Sequence, residues 1–276
     1  MAMVLPTVHD FLSLASQLAR RAGEMSLAHV HDFSTSRKSD HTIVTSVDHA
    51  IQADILRGIG ESFPDHPILA EECVEVTGDA QTRATAARYC WVVDPLDGTR
   101  NYVSGLPCFA TSIAVLDQGR PIAAAVYEHN QRMMFTAGAG GGAFLDGKPI
   151  RVDDPPKHRD HLLGIPSSKD SLTQLVIRDW LATRGFICRN LGATTVHLAL
   201  VAAGSLAGAF AKQAKLWDIA AGLLLMNEAG GRMTDPFGKD LLPFRLDADP
   251  QRDIPFLAAG PTMHRRLLET IQSVTI

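Results

Sequence analysis

The apolar positions change period along the chain, and each period predicts an element. Behind Thr7, apolar or small residues fall at Val8, Phe11, Leu12, Ala15, Leu18, Ala19, Ala22 and Met25, the spacing of one helix face, with Thr7 placed to cap it. Residues 31–42, HDFSTSRKSDHT, carry no such pattern and read as a polar loop. IVTSVDHAIQADILRGI (43–59) reads as a short extended piece and then a helix from about Asp48, a suitable N-cap. Pro64 and Pro67 end it; PILA (67–70) reads as a strand and TGDAQTRATAAR (77–88) as a surface loop. YCWVVD (89–94) is a strand, and CFATSIAVLDQGRPIAAAVYEH (108–129) a strand, a Gln-Gly turn and a second strand. RMMFTAGAGGGAFLDGKPIRV (132–152) continues as a meander with a hairpin turn at Asp146-Gly147.

DDPPKHRD (153–160), centred on Pro155-Pro156, marks a boundary between residues 1–152 and 153–276. Before it lie helices and a mainly antiparallel sheet, an α+β half. After it strands and helices alternate: HLLGIP, a helix ended by Gly185, FICRNLG, the helix TTVHLALVAAG, LAGAFAK, and a helix ended by Gly230-Gly231. That alternation predicts an α/β second half.

With 46% hydrophobic and 20% charged residues among 276, the chain reads as globular and long enough to bury a sizeable core. A net charge of −4 gives no electrostatic case for nucleic acid or an anionic membrane, so no nucleic-acid or membrane partner is expected. An anionic small substrate stays open, because a bound cation supplies local positive charge. Cys73, Cys90, Cys108 and Cys188 form no CxxC pair, the N-terminus has no basic leader, and no apolar stretch reaches a spanning length. A cytoplasmic location is expected.

Acidic residues follow three apolar segments. Glu71 and Glu72 come after PILA, Asp94 and Asp97 after WVV, and Asp218 after Leu216-Trp217. Strand ends and helix starts are where side chains converge on a cleft. Carboxylates with no interleaved His or Cys suit Mg²⁺ or Mn²⁺, and paired ions about 3.5–4 Å apart are one solution for phosphoryl chemistry. Each group also has an ordinary reading: DPLDG as a turn, Glu-Glu as a solvated pair, Asp218 as a helix cap. Spacing alone does not bring them together.

DPLDGTRNY (94–102) resembles the DPxDGTxNF signature of the inositol monophosphatase family, and WDIAAGLLLMNEAGG (217–231) resembles its second signature, WDxAAGxLLxxEAGG. ILAEEC (68–73) and TIVTSVDHAIQ (42–52) match further family elements, in the family's order over nearly the whole chain. The resemblance implies a layered αβαβα sandwich and a Mg²⁺-dependent, often lithium-inhibited phosphomonoesterase acting on a small phosphorylated alcohol, such as inositol 1-phosphate or a related sugar phosphate. Two or three ions per site are implied, with Mn²⁺ as a substitute. Glu71, Asp94 and the Leu96 carbonyl would hold one ion; Asp94, Asp97 and Asp218 would hold the second. Glu71 and Thr99 would position the attacking water, a Thr99–Asp48 pair would accept its proton, and the amides of Gly98 and Thr99 would meet the phosphate. Family members commonly form homodimers, so a homodimer is expected. Arg37, Lys38 and Asp40 fall where the family has a mobile loop near a further metal, or in a solvated loop.

The match departs in its specificity set. In LGATTVHLALVAAG (191–204), Gly192, Ala193 and Thr194 take the places that touch the substrate's alcohol part. The glutamate that bonds inositol hydroxyls in inositol-specific members falls at Ala211, which accepts no such bond. Lys212 and Lys215 nearby suggest a substrate with a second anionic group. Histidinol phosphate, fructose 1,6-bisphosphate and adenosine 3′,5′-bisphosphate are therefore alternatives. A non-catalytic regulatory relative is the other class. It is expected to lose one of Glu71, Asp94, Asp97, Asp218 or Thr99, and none is lost.

Overall fold

The computed structural model describes residues 6–38, 42–73, 78–154, 156, 160–249 and 251–274, so Asp40 and Pro155 lie outside the described residues. In chain order the elements are α1 (Val8–Ala28), β1 (Thr35–Arg37), β2 (Ile43–Thr45), α2 (Ser46–Ser62), β3 (Ile68–Ala70), a 3₁₀ turn (Glu71–Cys73), α3 (Gly78–Ala86), β4 (Tyr89–Asp97) and α4 (Thr99–Val103). The meander follows: β5 (Ala110–Asp117), β6 (Arg120–Glu128), β7 (Met133–Gly138), β8 (Gly142–Leu145) and β9 (Lys148–Ile150). The second half runs β10 (His161–Gly164), α5 (Ser171–Ala182), β11 (Phe186–Arg189), α6 (Thr194–Ala202), β12 (Gly208–Ala211), α7 (Leu216–Glu228), β13 (Arg232–Thr234), β14 (Phe256–Ala259) and α8 (Pro261–Ser273).

Strands β3 to β9 form one seven-stranded sheet in sequence order, parallel only at β3–β4. Both hairpin turns foreseen from the sequence are two residues long with positive φ at each: Gln118 (49°) and Gly119 (77°), Asp146 (49°) and Gly147 (76°). The other large sheet has the order β11-β10-β12-β14-β13, with β10 parallel to both β11 and β12. A small β1–β2 ribbon stands apart.

Strand alternation sorts the side chains into layers. Trp91, Val93, Ile113, Val115, Ala123 and Ala125 pack with Phe11, Leu18, Ile51 and Ile55 of α1 and α2. Val92, Ala114, Leu116, Ala124 and Val126 pack instead with Leu198 of α6 and Leu223 of α7. The smaller sheet gives Ala209, Ala211, Phe256 and Ala258 to that same central core, and Leu163, Phe210, Leu257 and Ala259 to a third core with Trp180 of α5 and Leu267 of α8. The molecule is an αβαβα sandwich with α6 and α7 as its middle layer. Helices covered by sheets on both sides carry apolar residues all round, as TTVHLALVA and LWDIAAGLLLM do. Gly222 lets the two approach, since a Cβ there would meet Leu198 at 2.5 Å. No described helix is long and apolar enough to cross a membrane.

The elements depart from expectation in several places. Thr35–Arg37, inside the segment read as a polar loop, forms strand β1 because its backbone pairs with β2. Residues 78–86 are helical rather than loop: their alanines favour helix, and the buried Ala84 is too small to show as a periodic pattern. Helix α2 starts two residues before Asp48. Thr45 is its N-cap and Asp48 its third residue, each side chain bonding the other's backbone N–H. Strand β4 continues through DPLD to Asp97 rather than stopping at Asp94. Finally, β13, β14 and α8 lie in a C-terminal stretch for which no element was foreseen.

Candidate active site

Asp94 continues the row Cys90, Val92 on the α6/α7 side of β4. Three residues on, simple alternation would turn Asp97 to the other side. A β-bulge prevents this: Asp94 pairs with Ser112 and Asp97 with Ala110, so Pro95 and Leu96 together oppose Thr111. The extra residue resets the phase. Asp97 thereby reaches the start of α6, where one carboxylate oxygen accepts hydrogen bonds from the Thr195 N–H and hydroxyl, both at 2.7 Å. Asp218, third residue of α7, accepts from the Lys215 N–H at 2.7 Å. Glu71 enters from the 3₁₀ turn behind β3, which lies parallel to β4.

These four carboxylates line one cleft of about 580 Å³. Burial pushes Asp94 and Asp218 well above the usual carboxylate range, and repulsion from Glu71 and Asp97 adds to it for both. Burial also raises Asp97 to about 6, against the Thr195 hydrogen bonds that favour its charged form. Glu72 rises to about 7, first through burial and then through Glu71. The Lys38 ammonium stands 2.7 Å from both Glu71 and Glu72. Burial pulls it down, but the two glutamates outweigh that and hold it above its ordinary value.

Thr99 begins α4, and its hydroxyl lies 3.1 Å from Asp48 Oδ1 and 2.9 Å from the Leu96 carbonyl, so its one proton has two acceptors. Burial raises Asp48, against hydrogen bonds from Thr45. Gly98 turns the chain at φ +85°, and a Cβ there would lie 2.7 Å from the Cys108 carbonyl, so only glycine fits. Asn101, inside the same signature, donates to the Cys108 carbonyl at 2.8 Å and to the Leu191 carbonyl at 2.7 Å. It ties α4 to the loop before α6.

The opposite wall carries Gly192, Ala193 and Thr194. Ala211 is not brought there. It is 3% exposed in the central core, while Gln213, two residues on, lines the cleft. The lysines foreseen as an anion site turn elsewhere: Lys212 pairs with Asp170 at 3.2 Å and Lys215 with Asp253 at 2.8 Å, and neither lines the cleft. Sequence reasoning missed Arg100 on α4 and Ser167, Asn190 and Gln213 on the loops facing it, exposed side chains that complete the lining of the cleft. Arg100 had a signal, as the second variable position of DPxDGTxNF; the other three stand in loops that carry no pattern. His197 also borders the cleft. Burial pulls it down to about 4, so it is neutral, and its Nε2 accepts from the Leu191 N–H at 3.1 Å.

Among the described residues no three acidic, histidine or cysteine side chains are drawn into closed metal-ligand geometry; a lysine stands between the two glutamates. The donor chemistry nevertheless fits a hard divalent cation. All four groups are carboxylates and all face one cleft, and the proton affinities of Asp94, Asp97 and Asp218 are raised first by burial and then by the negative charge gathered there.

Comparison with known proteins bears on both the fold and the motifs. A profile of the inositol monophosphatase family matches residues 7–275. The Nus factor SuhB of Salmonella typhimurium (strain 14028s) is 37% identical over 235 residues, covering 83% of this chain and 86% of that protein. An IMPase of Thermotoga maritima superposes with a TM-score of 0.82 at 28% identity, covering 96% of this chain and 98% of its own. An IMPase/NADP phosphatase solved with Mg²⁺ and phosphate shares the fold, with a TM-score of 0.81 at 24% identity and 96% of each chain covered. The order β3, β4, α4, α6, α7 around one carboxylate-lined cleft is this chain's own route to the same architecture, and the chain belongs to the inositol monophosphatase family.

Proposed function

We propose that the protein is a Mg²⁺-dependent phosphomonoesterase of small phosphorylated alcohols. The observation that carries this is the convergence of Glu71, Asp94, Asp97 and Asp218 on one cleft beside a hydrogen-bonded Thr99–Asp48 pair. The family is of phosphatase type and Mg²⁺-dependent. Glu71, Asp94 and the Leu96 carbonyl would hold one ion, and Asp94, Asp97 and Asp218 a second. When bound, the cations supply charge compensation for a phosphate and Lewis acidity toward its leaving oxygen. The amides of Gly98 and Thr99 open toward the phosphate. Glu71 and Thr99 orient the attacking water, and Asp48, held by Thr45, takes its proton through the Thr99 hydroxyl. In this reading the chemistry comes from residues 1–152, and residues 153–276 add Asp218 and the wall that meets the alcohol.

With Ala211 in the core and Lys212 and Lys215 paired to aspartates, the alcohol meets Ser167, Asn190, Thr194 and Gln213, with Arg100 at the side. The panel that tests the function is inositol 1-phosphate, histidinol phosphate, fructose 1,6-bisphosphate and adenosine 3′,5′-bisphosphate, each assayed for phosphate release with and without Mg²⁺. Release from at least one, lost on chelation, is expected. Absence of release from all four would remove the reading. A homodimer, a cytoplasmic location, replacement of Mg²⁺ by Mn²⁺ and inhibition by lithium go with this proposal.

A second reading has an observation of its own. The SuhB relatives of Salmonella typhimurium and Escherichia coli (strain K12) are named as Nus factors rather than as phosphatases. A regulatory role on the same fold then stands beside catalysis, and the expectation of no nucleic-acid partner, which rested on net charge alone, is not supported. If the Asp94→Asn variant fully replaces the native gene in growth, the regulatory reading takes precedence.

A further inference from the structure

Asp94 and Asp97 share a cleft only because Pro95 and Leu96 bulge opposite Thr111. On the other face of that sheet, a chain of buried hydrogen bonds ends on the bulge. Thr111 Oγ1 lies 2.7 Å from the Pro95 carbonyl and 3.0 Å from Nε2 of His129, the residue after β6. Nδ1 of His129 lies 2.7 Å from Ser26 Oγ on α1, and the Tyr102 hydroxyl of α4 donates to the Ser26 carbonyl at 2.8 Å. Thr111, His129 and Ser26 are each 0% exposed. The imidazole meets the Phe109 ring edge-on at 5.4 Å between centroids.

Counting protons gives the chain a direction. Each hydroxyl has one proton to donate, and a neutral imidazole has one N–H. Burial pushes His129 down to about 3, so it is neutral. Ser26 Oγ also lies 2.9 Å from the Gly23 carbonyl, but that carbonyl is inside α1, where the N–H four residues on serves it. The Pro95 carbonyl stands at the bulge, where the ladder is interrupted. The Thr111 proton therefore goes to Pro95, His129 donates from Nε2 to Thr111, and Ser26 donates to Nδ1. Every member is then satisfied, as a buried network requires.

We infer that Thr111 and His129 are positioning residues: from the face opposite the cleft they hold the Pro95–Leu96 bulge in the phase that turns Asp94 and Asp97 toward one cation site. This rests on the reading of those aspartates as cation ligands. Neither residue touches substrate or cation. Their effect passes through the Pro95 carbonyl to the backbone that carries both carboxylates.

The test compares Thr111→Val, which keeps the shape and removes the hydroxyl, with Thr111→Ser, which keeps the hydroxyl. Amide exchange of the metal-free protein and Mn²⁺ affinity by electron paramagnetic resonance are the two readouts. Thr111→Val is expected to speed exchange at Leu96 and Asp97 about tenfold, with β6 and β7 changing less than about twofold, the scale of one lost hydrogen bond. Mn²⁺ binding weakens about tenfold, while KM at saturating Mg²⁺ stays within about twofold. Thr111→Ser stays within about twofold of the native protein in both readouts. His129→Gln, whose amide replaces the Nε2–H donor, lies nearer native than His129→Leu; if the latter does not fold, the Thr111 pair decides. Equal exchange and equal Mn²⁺ affinity in Thr111→Val and Thr111→Ser overturn the inference. A native chain that takes up no Mn²⁺ overturns the proposed function and the cation half of this inference, and the exchange ratio still decides whether the network holds the bulge.

Discussion

The two walls of the cleft are built on different principles. The wall from β4 and α4 is charged and held by its own backbone: a bulge that carries the buried Asp94, a left-handed glycine, and Asp97, which accepts from the Thr195 N–H at the start of α6. The facing wall is exposed, its side chains being the uncharged Ser167, Asn190 and Gln213 on loops, while the exposed Arg100 stands on α4 at the edge of the first wall. There Asn190 donates to Ser167 at 2.7 Å and Gln213 meets Ser168 at 3.1 Å, contacts that solvent can replace. Groups that must gather negative charge need a rigid, over-determined frame. Groups that recognise an alcohol need only the right donors at a surface. Changes on the first wall should therefore abolish activity, and changes on the second should redistribute it.

The sharpest break is Asp94→Asn. It removes a carboxylate proposed to serve both ions, and Mg²⁺-dependent phosphate release is expected to fall by about 10²–10³-fold for every substrate, the several kcal/mol that metal-held charge is worth. A variant retaining near-native release would remove the first wall's claim to the chemistry. Next is Asn101→Ala, which cuts the link between the walls. It loses bonds to the Cys108 and Leu191 carbonyls, costing about 1–3 kcal/mol. We expect a lower Tm and a raised KM, with kcat less affected. A kcat loss as large as that of Asp94→Asn would show that the link carries chemistry.

The charge on the first wall also sets a pH dependence. Asp97, at about 6, and Asp94 and Asp218, well above the usual carboxylate range, are raised above their unfolded values. The cation-free fold therefore binds more protons than the unfolded chain, and the stability these groups contribute is lost as pH rises from about 4 through 6 and above. Deprotonated carboxylates bind cations better. The Tm gain on adding saturating Mg²⁺ should thus be several degrees larger at about pH 8 than at about pH 5.5. Calorimetry at both pH values checks this; an equal gain would separate the raised proton affinities from the cation site. Smallest is Gln213→Ala, expected to change the ratio of kcat/KM between two substrates of the panel by about tenfold or less, while the best substrate keeps most of its kcat. A uniform loss across the panel would place Gln213 with the first wall instead.

Much of this was legible before any coordinates. The unbroken apolar runs WVV, IAV and IAAAV read as strands, and the apolar stretches at 194–202 and 216–226 as helices. DPLDGTRNY and WDIAAG mark the residues that meet in the cleft. Less legible was why they meet. Nothing in the spacing of Asp94 and Asp97 says that a bulge resets their phase, because a bulge is a mismatch with the partner strand, and Thr111 lies far along the chain. Gln213 for Ala211 has a similar cause: counting back from Trp217 gives a position but not the direction of a side chain at a strand end. Lys212 and Lys215 looked like an anion site because their partners, Asp170 and Asp253, are distant in sequence.

By itself, then, the sequence determined the elements with a period, the hairpin turns, and the carboxylate inventory, because these depend on neighbours within a few positions. The tertiary structure alone decided which of those groups share a cleft, which lysines are already paired, and which residues behind the sheet hold the bulge. Those depend on contacts between segments such as β4, β5, β6 and α1, and contacts at that separation leave no periodic trace in the chain.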